Sequence, residues 1–318
     1  MTKRSEGIDI QRRMVLKSLA AAGGVLALGG CAAGMQPGPG TGGSARLSGG
    51  RVSVRWLGGG VVEFATPDSR QMAYADAWFW HNAGWERFGV QKAAEYTSPD
   101  AFARYVKGKN PQAVFMLLTH DHGDHAGDYF EALKALSDAG VPVMTAGQSD
   151  LMRSPTGFIP DFKKAGLDPA KIVVNHGAGM NFGGTSKVGG MTARLVPAVH
   201  STFHGFPAAG YMLDIGGVRV YISGDTDLFG DMKTLGERYQ PNVAIVCVGD
   251  GPFTMGPEEA ARACQWMGVQ HAIPVHYAHN PLVKGVEAGE EFRRAMAQIA
   301  PGVQVTVMKP GETHMFQT

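Results

Sequence analysis

From Arg51 onward the spacing of apolar positions changes period repeatedly. Residues 52–56, 61–64 and 71–74 are short apolar runs between Gly and Pro-Asp turns, and they predict three strands. Residues 113–118 form an unbroken apolar run ending at Thr119, the pattern of a buried strand. Residues 129–139 set Phe130, Leu133 and Leu136 on one side and stop at Gly140, which predicts a helix. Strands are predicted at 141–145, 171–174, 192–196, 210–215 and 218–223, with Gly216-Gly217 closing a hairpin between the last two. A helix at 232–239 and a strand at 243–248 follow. Residues 257–267 begin with Pro at the first helical position, carry Glu258 and Glu259 in the first turn and line up Ala260, Ala263, Cys264 and Met267, a helix. A strand at 272–275, an amphipathic helix at 290–300 on Phe292, Ala295, Met296 and Ile299, and a strand at 303–308 complete the series. Hairpins first, then strands alternating with helices, with the pattern repeated in the second half, predict an α/β protein of αββα layers. In it two mixed sheets pack face to face with helices outside. No tandem repeat of 20–50 residues is visible.

Composition narrows the function classes. The 318 residues carry 29 Lys+Arg against 28 Asp+Glu, a net charge of +1. Phosphate binding leaves a large cationic surplus, so nucleic acid is not expected as a partner. Hydrophobic content of 44% and charged content of 18% exclude intrinsic disorder.

The first fifty residues read as an address. Lys3, Arg4, Arg12, Arg13 and Lys17 precede an uncharged run at 18–30. That run is too short for a hydrocarbon core, which needs about 20 residues, but it suits the apolar region of an export signal. Arg12-Arg13 with Leu16 and Lys17 resembles the twin-arginine type, with Gln11 and Val15 as departures, and implies the matching export machinery as a partner. Leu28-Gly29-Gly30-Cys31 resembles a lipoprotein processing site that would leave Cys31 acylated; the alternative is plain cleavage at Ala32-Ala33. The division is a signal at 1–31, a Gly/Pro/Ser-rich tether at 32–50 and one domain at 51–318. The protein is expected to be periplasmic, or anchored on that side of a bacterial membrane through an acylated Cys31. Cys247 and Cys264 read as small buried residues, with a disulfide between them possible.

The chemistry concentrates in Thr119-His120-Asp121-His122-Gly123-Asp124-His125, directly after the apolar strand of 113–118. Three of the eleven histidines fall there. Residues two apart in an extended chain point the same way, so His120 and His122 can reach one metal. Gly123 lets the chain turn, and Asp124 with His125 can then aim at a second. Imidazole and carboxylate suit Zn²⁺ and its first-row neighbours.

This His-x-His-x-Asp-His motif resembles the signature of the metallo-β-lactamase superfamily. The resemblance implies that His120, His122 and His200 hold one ion, that Asp124, His125 and His276 hold the other, and that Asp225 bridges them. The stretches 179–185, 207–210, 224–232 and 253–258 (GMNFGGT, PAAG, GDTDLFGDM and FTMGPE) resemble the metal-dependent hydrolases related to ascorbate-6-phosphate lactonase, over roughly residues 51–312. N-acyl phosphatidylethanolamine phospholipase D is a more distant relative. Implied is a hydrolase in which a hydroxide shared by two divalent ions, Zn²⁺ or else Mn²⁺, attacks an ester, lactone or phosphoester, with Asp124 orienting it or accepting its proton. A lactonase-like reaction is preferred; a phosphodiesterase on the same site, with phospholipase D-like action on lipid as one form of it, or a non-catalytic metal-binding protein are the alternatives. His122, where di-iron oxygen reductases of the superfamily resemble Glu, disfavours redox chemistry. Asp225, where several true β-lactamases carry Cys, disfavours antibiotic hydrolysis.

Several residues sit beside that set. His204 is a candidate proton donor to the substrate, and Tyr277 and His279 are candidates for the mouth of the site. His176, His271 and His314 read as structural or solvated. The stretch from Ala77 to Asn110 is longer than such hydrolases usually carry, and holds Trp78, Phe79, Trp80, Trp85 and Phe88. These rings either form a lid that favours an apolar or acyl substrate or pack beneath their own loop, the more usual behaviour. A small molecule or lipid is the expected substrate, and assembly into a homo-oligomer is possible.

Overall fold

The computed structural model describes residues 45–318. The predicted signal, Cys31 and most of the predicted tether lie outside the described residues. Arg46, at the end of that tether, already belongs to the body: its guanidinium donates to Pro241 O at 2.7 Å and to Gly268 O at 2.7 Å.

Among the described residues, thirteen strands form two sheets. The first contains β1 (Arg51–Trp56), β2 (Val62–Ala65), β3 (Gln71–Ala75), β4 (Ala113–Leu117), β5 (Val143–Ala146) and β13 (Thr313–Gln317), in the order β13-β1-β2-β3-β4-β5. The second contains β6 (Thr185–Val188), β7 (Met191–Pro197), β8 (Ala209–Ile215), β9 (Val218–Ile222), β10 (Val243–Cys247), β11 (His271–Val275) and β12 (Gln304–Val305), in the order β12-β11-β10-β9-β8-β7-β6. Both are mixed. β13-β1-β2-β3 is antiparallel and β3-β4-β5 parallel; β6 to β9 are antiparallel and β9 to β12 parallel. The helices of eight residues or more are α1 (Pro99–Lys109), α2 (Tyr129–Asp138), α3 (Met232–Tyr239), α4 (Pro257–Met267) and α5 (Ala288–Ile299). The expected layering of two mixed sheets with helices is the architecture found.

The unbroken apolar run of β4 follows from this layering. Phe115 and Leu117 enter the core shared with the second sheet, while Val114, Met116 and Leu118 enter the core under α1 and α2. β3 alternates likewise, with Ala73 and Ala75 on one side and Met72 and Tyr74 on the other. A strand covered on both faces has no polar face to show.

The 77–110 stretch is tied down by two buried carboxylates. Glu63 on β2 accepts from Tyr74 Oη and Tyr96 Oη, each at 2.6 Å, and from Tyr105 Oη at 3.1 Å. Asp128 accepts from the Phe79 backbone N–H at 2.5 Å and pairs with the His81 ring. Such groups are stable inside a protein only when partnered in this way.

Several differences from the sequence-based expectation appear among the described residues. Of the strand expected at 171–174, Lys171 and Ile172 end the helical turn Pro169–Ile172, because Pro169 opens the turn and the Asp168 carboxylate accepts from Ala170 N at 3.0 Å, and Val173 makes only an isolated bridge to Thr145. Only Gln304–Val305 of the 303–308 run pairs as a strand. β13 shows little apolar pattern because Phe316 is its one buried residue, yet it pairs along all of β1 except Trp56. α1 starts on a Ser98 cap, whose hydroxyl accepts from Ala101 N at 3.2 Å, with Pro99 at its first position. Cys247 and Cys264 are buried and free rather than bonded to each other.

Candidate metal centre

The site forms where strands of both sheets end. β3 and β4 run parallel in register from Gln71 opposite Ala113 to Ala75 opposite Leu117. Their continuations therefore emerge side by side, and deliver Asp76 beside Thr119 and the histidine cluster. In the second sheet β7, β9 and β11 run the same way. Their ends deliver His200, Asp225 and His276.

Three overlapping sets each bring ligand atoms within 4.8 Å of one another: His120, His122 and His200; His120, His125 and Asp225; Asp124, His125 and His276. His122 Nδ1 lies 3.0 Å from His120 Nε2 and 3.3 Å from His200 Nε2. Asp225 stands between the groups, with one oxygen 3.4 Å from His125 Nε2 and the other 3.0 Å from His276 Nε2 and 3.7 Å from His200 Nε2. Asp124 Oδ2 is 3.3 Å from His276 Nε2 and 3.9 Å from His125 Nε2. The seven residues named from the motif and its resemblance thus meet in one place.

Neighbouring groups set the rings. Asp76 Oδ2 lies 2.7 Å from His125 Nδ1, and Asp76 also accepts from the Thr119 backbone N–H at 2.8 Å and from its hydroxyl. With Nδ1 so engaged, His125 turns Nε2 inward. Thr119 Oγ1 lies 3.1 Å from His120 Nδ1 and does the same for that ring. Asp76 and His276 both hold positive φ, 60° and 62°. Such backbone is uncommon outside glycine and concentrates at functional sites.

The turn between β1 and β2 closes over these rings. Gly59 O accepts from the His276 backbone N–H at 2.9 Å and from Trp56 Nε1 at 2.9 Å. A Cβ on Gly60 would stand 2.6 Å from Cε1 of His125, so only glycine fits there.

The donor set fits divalent cations. His125 Nε2 and Asp225 Oδ1 are buried and have no hydrogen-bond partner. A ring nitrogen and a carboxylate oxygen aimed at common space without a hydrogen bond are satisfied by a cation. Without one, protons offset the charge. Burial opposes a charged His125, but Asp225, Asp76 and Asp124 raise it well above the usual histidine range. Burial likewise opposes a charged His276, which Asp225 and a hydrogen bond to Asp124 nonetheless carry up to about 9. Burial favours a neutral Asp225, yet His276 and His125 hold it well below the usual carboxylate range. His120 is pushed well below its usual value by burial and by the charge of His125. Burial pushes the nearby Cys247 thiol up to about 12.

These residues open onto a cavity of about 690 Å³ lined by His122, Asp124, His200, Asp225 and His276 together with Trp78, Phe203 and His279. Two expectations need correction. His204 does not line the cavity: its Nδ1 lies 2.6 Å and its backbone N–H 2.7 Å from Asp121 Oδ2, and its ring packs at the edge of Phe158. Asp121 thereby fixes the 203–204 backbone, and Phe203 is the residue that faces the cavity. Tyr277 is not at the mouth: it is fully buried, stacked on Trp56 with centroids 5.0 Å apart and edge-on to Phe88 at 5.5 Å. Successive residues of an extended chain point to opposite faces, so with His276 turned to the cavity its neighbour Tyr277 faces the core. His279 does line the cavity, deeper than a mouth residue, with Nε2 3.1 Å from Asp124 Oδ2. Burial, with the charge of His276, lowers it to about 4.

The aromatic stretch divides between its two expected behaviours. Phe79 and Trp85 pack beneath the loop in the outer core, and Trp80 donates Nε1 to Glu131 at 3.1 Å. Trp78 is the ring that reaches the cavity wall, edge-on to His279 with centroids 6.0 Å apart.

Two carboxylates of the site, Asp76 and Asp121, escape sequence reasoning. Asp121 lies inside the motif, between His120 and His122, so its signal is that of an acidic residue with no assigned task. Asp76 carries no local signal.

Comparison with known proteins places the chain. The family model described as Beta-lactamase superfamily domain matches residues 77–277. A UPF0173 metal-dependent hydrolase of Archaeoglobus fulgidus is 34% identical over 221 residues, covering 66% of this chain and 85% of that protein. A UPF0173 metal-dependent hydrolase of Deinococcus radiodurans is 36% identical over 217 residues, covering 65% and 82%. Among solved structures, Igni18, described as a novel metallo hydrolase from Ignicoccus hospitalis, superposes with a TM-score of 0.64 at 26% identity, covering 84% of this chain and 99% of that one. Family match, relatives and ligand geometry agree: the chain belongs to the metallo-β-lactamase superfamily, as one of its metal-dependent hydrolases.

Proposed function

We propose that the protein hydrolyses an ester, lactone or phosphoester bond, with a lactonase-like carbon–oxygen cleavage preferred, using two divalent ions. The observation that carries this reading is the trio of overlapping ligand sets, in which the set His120, His125 and Asp225 shares His120 with one neighbour and His125 with the other. In this reading His120, His122 and His200 would hold one ion and Asp124, His125 and His276 the other, with Asp225 within reach of both groups. Zn²⁺ suits the imidazole-rich set, and Mn²⁺ is the second choice. Bound ions of this kind make water a nucleophile near neutral pH and offset charge that develops on the attacked oxygen.

The chain's own groups supply the rest. Asp76 and Thr119 fix His125 and His120 so that Nε2 of each faces inward. Asp124, held through Oδ2 by His276 and His279 and lining the cavity, suits the orientation of an attacking water. The apolar wall at Trp78 and Phe203 suits exclusion of bulk water and contact with an apolar part of the substrate.

Export and acylation belong to the same proposal and rest on the sequence around Arg12-Arg13 and Cys31. Intact-mass measurement of the mature protein tests them; an unmodified N-terminus beyond Cys31 rejects the lipid anchor.

The function is tested by a panel of esters, lactones and phosphodiesters, with metal content measured on the same preparation. Turnover of carbon–oxygen substrates that chelation abolishes is expected. A fully metallated protein inert to the whole panel would favour a metal-binding role, and turnover confined to phosphodiesters would favour the phosphodiesterase.

A further inference from the structure

We propose that Arg87 determines the substrate specificity of this cavity, and that the substrate is an amphiphile. It would carry an apolar or aromatic body and an anionic group, carboxylate or phosphate, away from the bond that is cleaved. The inference deepens the hydrolase reading above and rests on it for the reaction.

Arg87 ends the one-turn helix Gly84–Arg87 and is, among the described residues, the one Lys or Arg lining the cavity. Its side chain is exposed and, among the described residues, forms no ion pair and donates no hydrogen bond. Two less exposed guanidiniums of the body are spent on partners. Arg55 donates to Glu95 at 2.7 Å and to Gly311 O at 3.1 Å. Arg219 makes a two-pronged contact with Asp214 at 2.6 and 2.8 Å.

The helix beneath Arg87 is fixed. Asn82 Oδ1 accepts from Gly84 N at 2.9 Å, and Asn82 Nδ2 donates to Leu57 O and Gly58 O at 3.1 and 3.0 Å. Trp85 is 2% exposed and anchors the turn in the core. A rigid base therefore presents a free cation to the cavity.

No carboxylate of the cavity neutralises it. Asp124 and Asp225 are both engaged by histidines at the metal centre. A guanidinium presents a planar fork that matches carboxylate and phosphate oxygens. The remaining walls carry large apolar groups facing solvent, Phe203 at 75% and Phe253 at 38% exposed, together with Trp78. Apolar groups clustered at a cavity rim mark a ligand surface more than an accident of folding. A cation and an apolar wall around one reaction centre select a molecule that has both complements.

The test uses the metal-loaded protein and three probes with one aromatic body: 2-naphthylacetate, 2-naphthylmethyl phosphate and the neutral 2-naphthylacetamide. Binding is measured by calorimetry for the wild type, Arg87→Ala and Arg87→Lys. Anions can also coordinate metal, so the difference between wild type and variant is the reading. Arg87→Ala is expected to weaken one or both anions by about 10–100-fold and to leave the amide within about twofold. Arg87→Lys is expected to fall between. The two anion arms show whether carboxylate or phosphate is the preferred partner. Unchanged anion affinity in Arg87→Ala, or equal loss for anions and amide, overturns the proposal. Arg87-dependent anion binding in a protein that turns over nothing in the hydrolase panel sinks the reaction and leaves this site standing. Hydrolysis without any Arg87-dependent anion preference does the reverse.

Discussion

The Asp76 carboxylate lies 2.7 Å from Nδ1 of His125 and takes the Thr119 backbone N–H at 2.8 Å, so one acidic side chain aligns a metal-facing ring and the strand end that carries the cluster. Outer partners of this kind typically contribute 10–100-fold to metal affinity. Asp76→Asn keeps the shape and tolerates the positive φ but presents an amide to the ring. It is expected to weaken the more loosely held ion by about 10–100-fold in competition with a chromophoric chelator. Unchanged affinity would reduce Asp76 to a strut.

Ligand removal should be readable as stoichiometry. His122→Ala and His276→Ala are each expected to lower bound divalent metal from about two equivalents to about one, and Asp225→Ala to weaken both. Elemental analysis after dialysis checks this. Loss of both ions from His122→Ala with His276→Ala unaffected would contradict the assignment of ligands to separate ions.

The metal-free protein should show a stability profile that the loaded protein lacks. His276 holds its proton more tightly folded, at about 9, than at its ordinary 6.5. That preference stabilises the metal-free fold fully below pH 6.5 and fades as pH rises through about 9. At the acid end, Asp225 is depressed from an ordinary 3.8, since His276 and His125 outweigh its burial; its contribution is present above that value and lost as pH falls further. Incoming ions must displace the histidine protons, so metal affinity rises with pH. The gap in Tm between loaded and metal-free protein is expected to widen from pH 6.5 to about 9. A constant gap would mean that His276 is neutral in the metal-free site.

Trp78 and Trp85 should separate binding from folding. Trp85→Ala empties a buried site and is expected to cost about 3–5 kcal/mol in denaturant unfolding. Trp78→Ala is expected to raise KM for apolar substrates about tenfold, with kcat largely kept, the pattern of a lost uniform binding contact. Equal kinetics for Trp78→Ala and wild type would remove Trp78 from the substrate wall.

Tyr277→Phe deletes a buried hydroxyl that has no hydrogen-bond partner. Activity is expected to be unchanged, and stability unchanged or higher by up to about 1 kcal/mol. A loss of kcat would restore Tyr277 to the site.

How far the sequence can be read depends on the range of the signal. The helix at Pro257–Met267 is legible to the residue because Pro at the first position, acidic residues in the first turn and an apolar face all lie within one local window. The histidine cluster is legible for the same reason. His200, Asp225 and His276 come only through resemblance, since no local pattern distinguishes them from other polar residues at strand ends. Asp76 is not legible because its partner Thr119 lies 43 residues away and is brought beside it only by the parallel pairing of β3 with β4. Tyr277 misleads because adjacency to His276 in sequence is not adjacency in the site: the next residue of an extended chain points the other way, here onto Trp56. Residues 171–174 mislead because their β-branched apolar composition masks the helix start at Asp168-Pro169.

The β1–β2 turn has a bearing on engineering. It carries Gly59 and Gly60 against His276 and His125, yet it lies outside the segment 77–277 that marks the family. A chimera that swapped only that segment between relatives would graft a foreign roof over the imidazoles, so residues 57–61 must travel with it from the same parent.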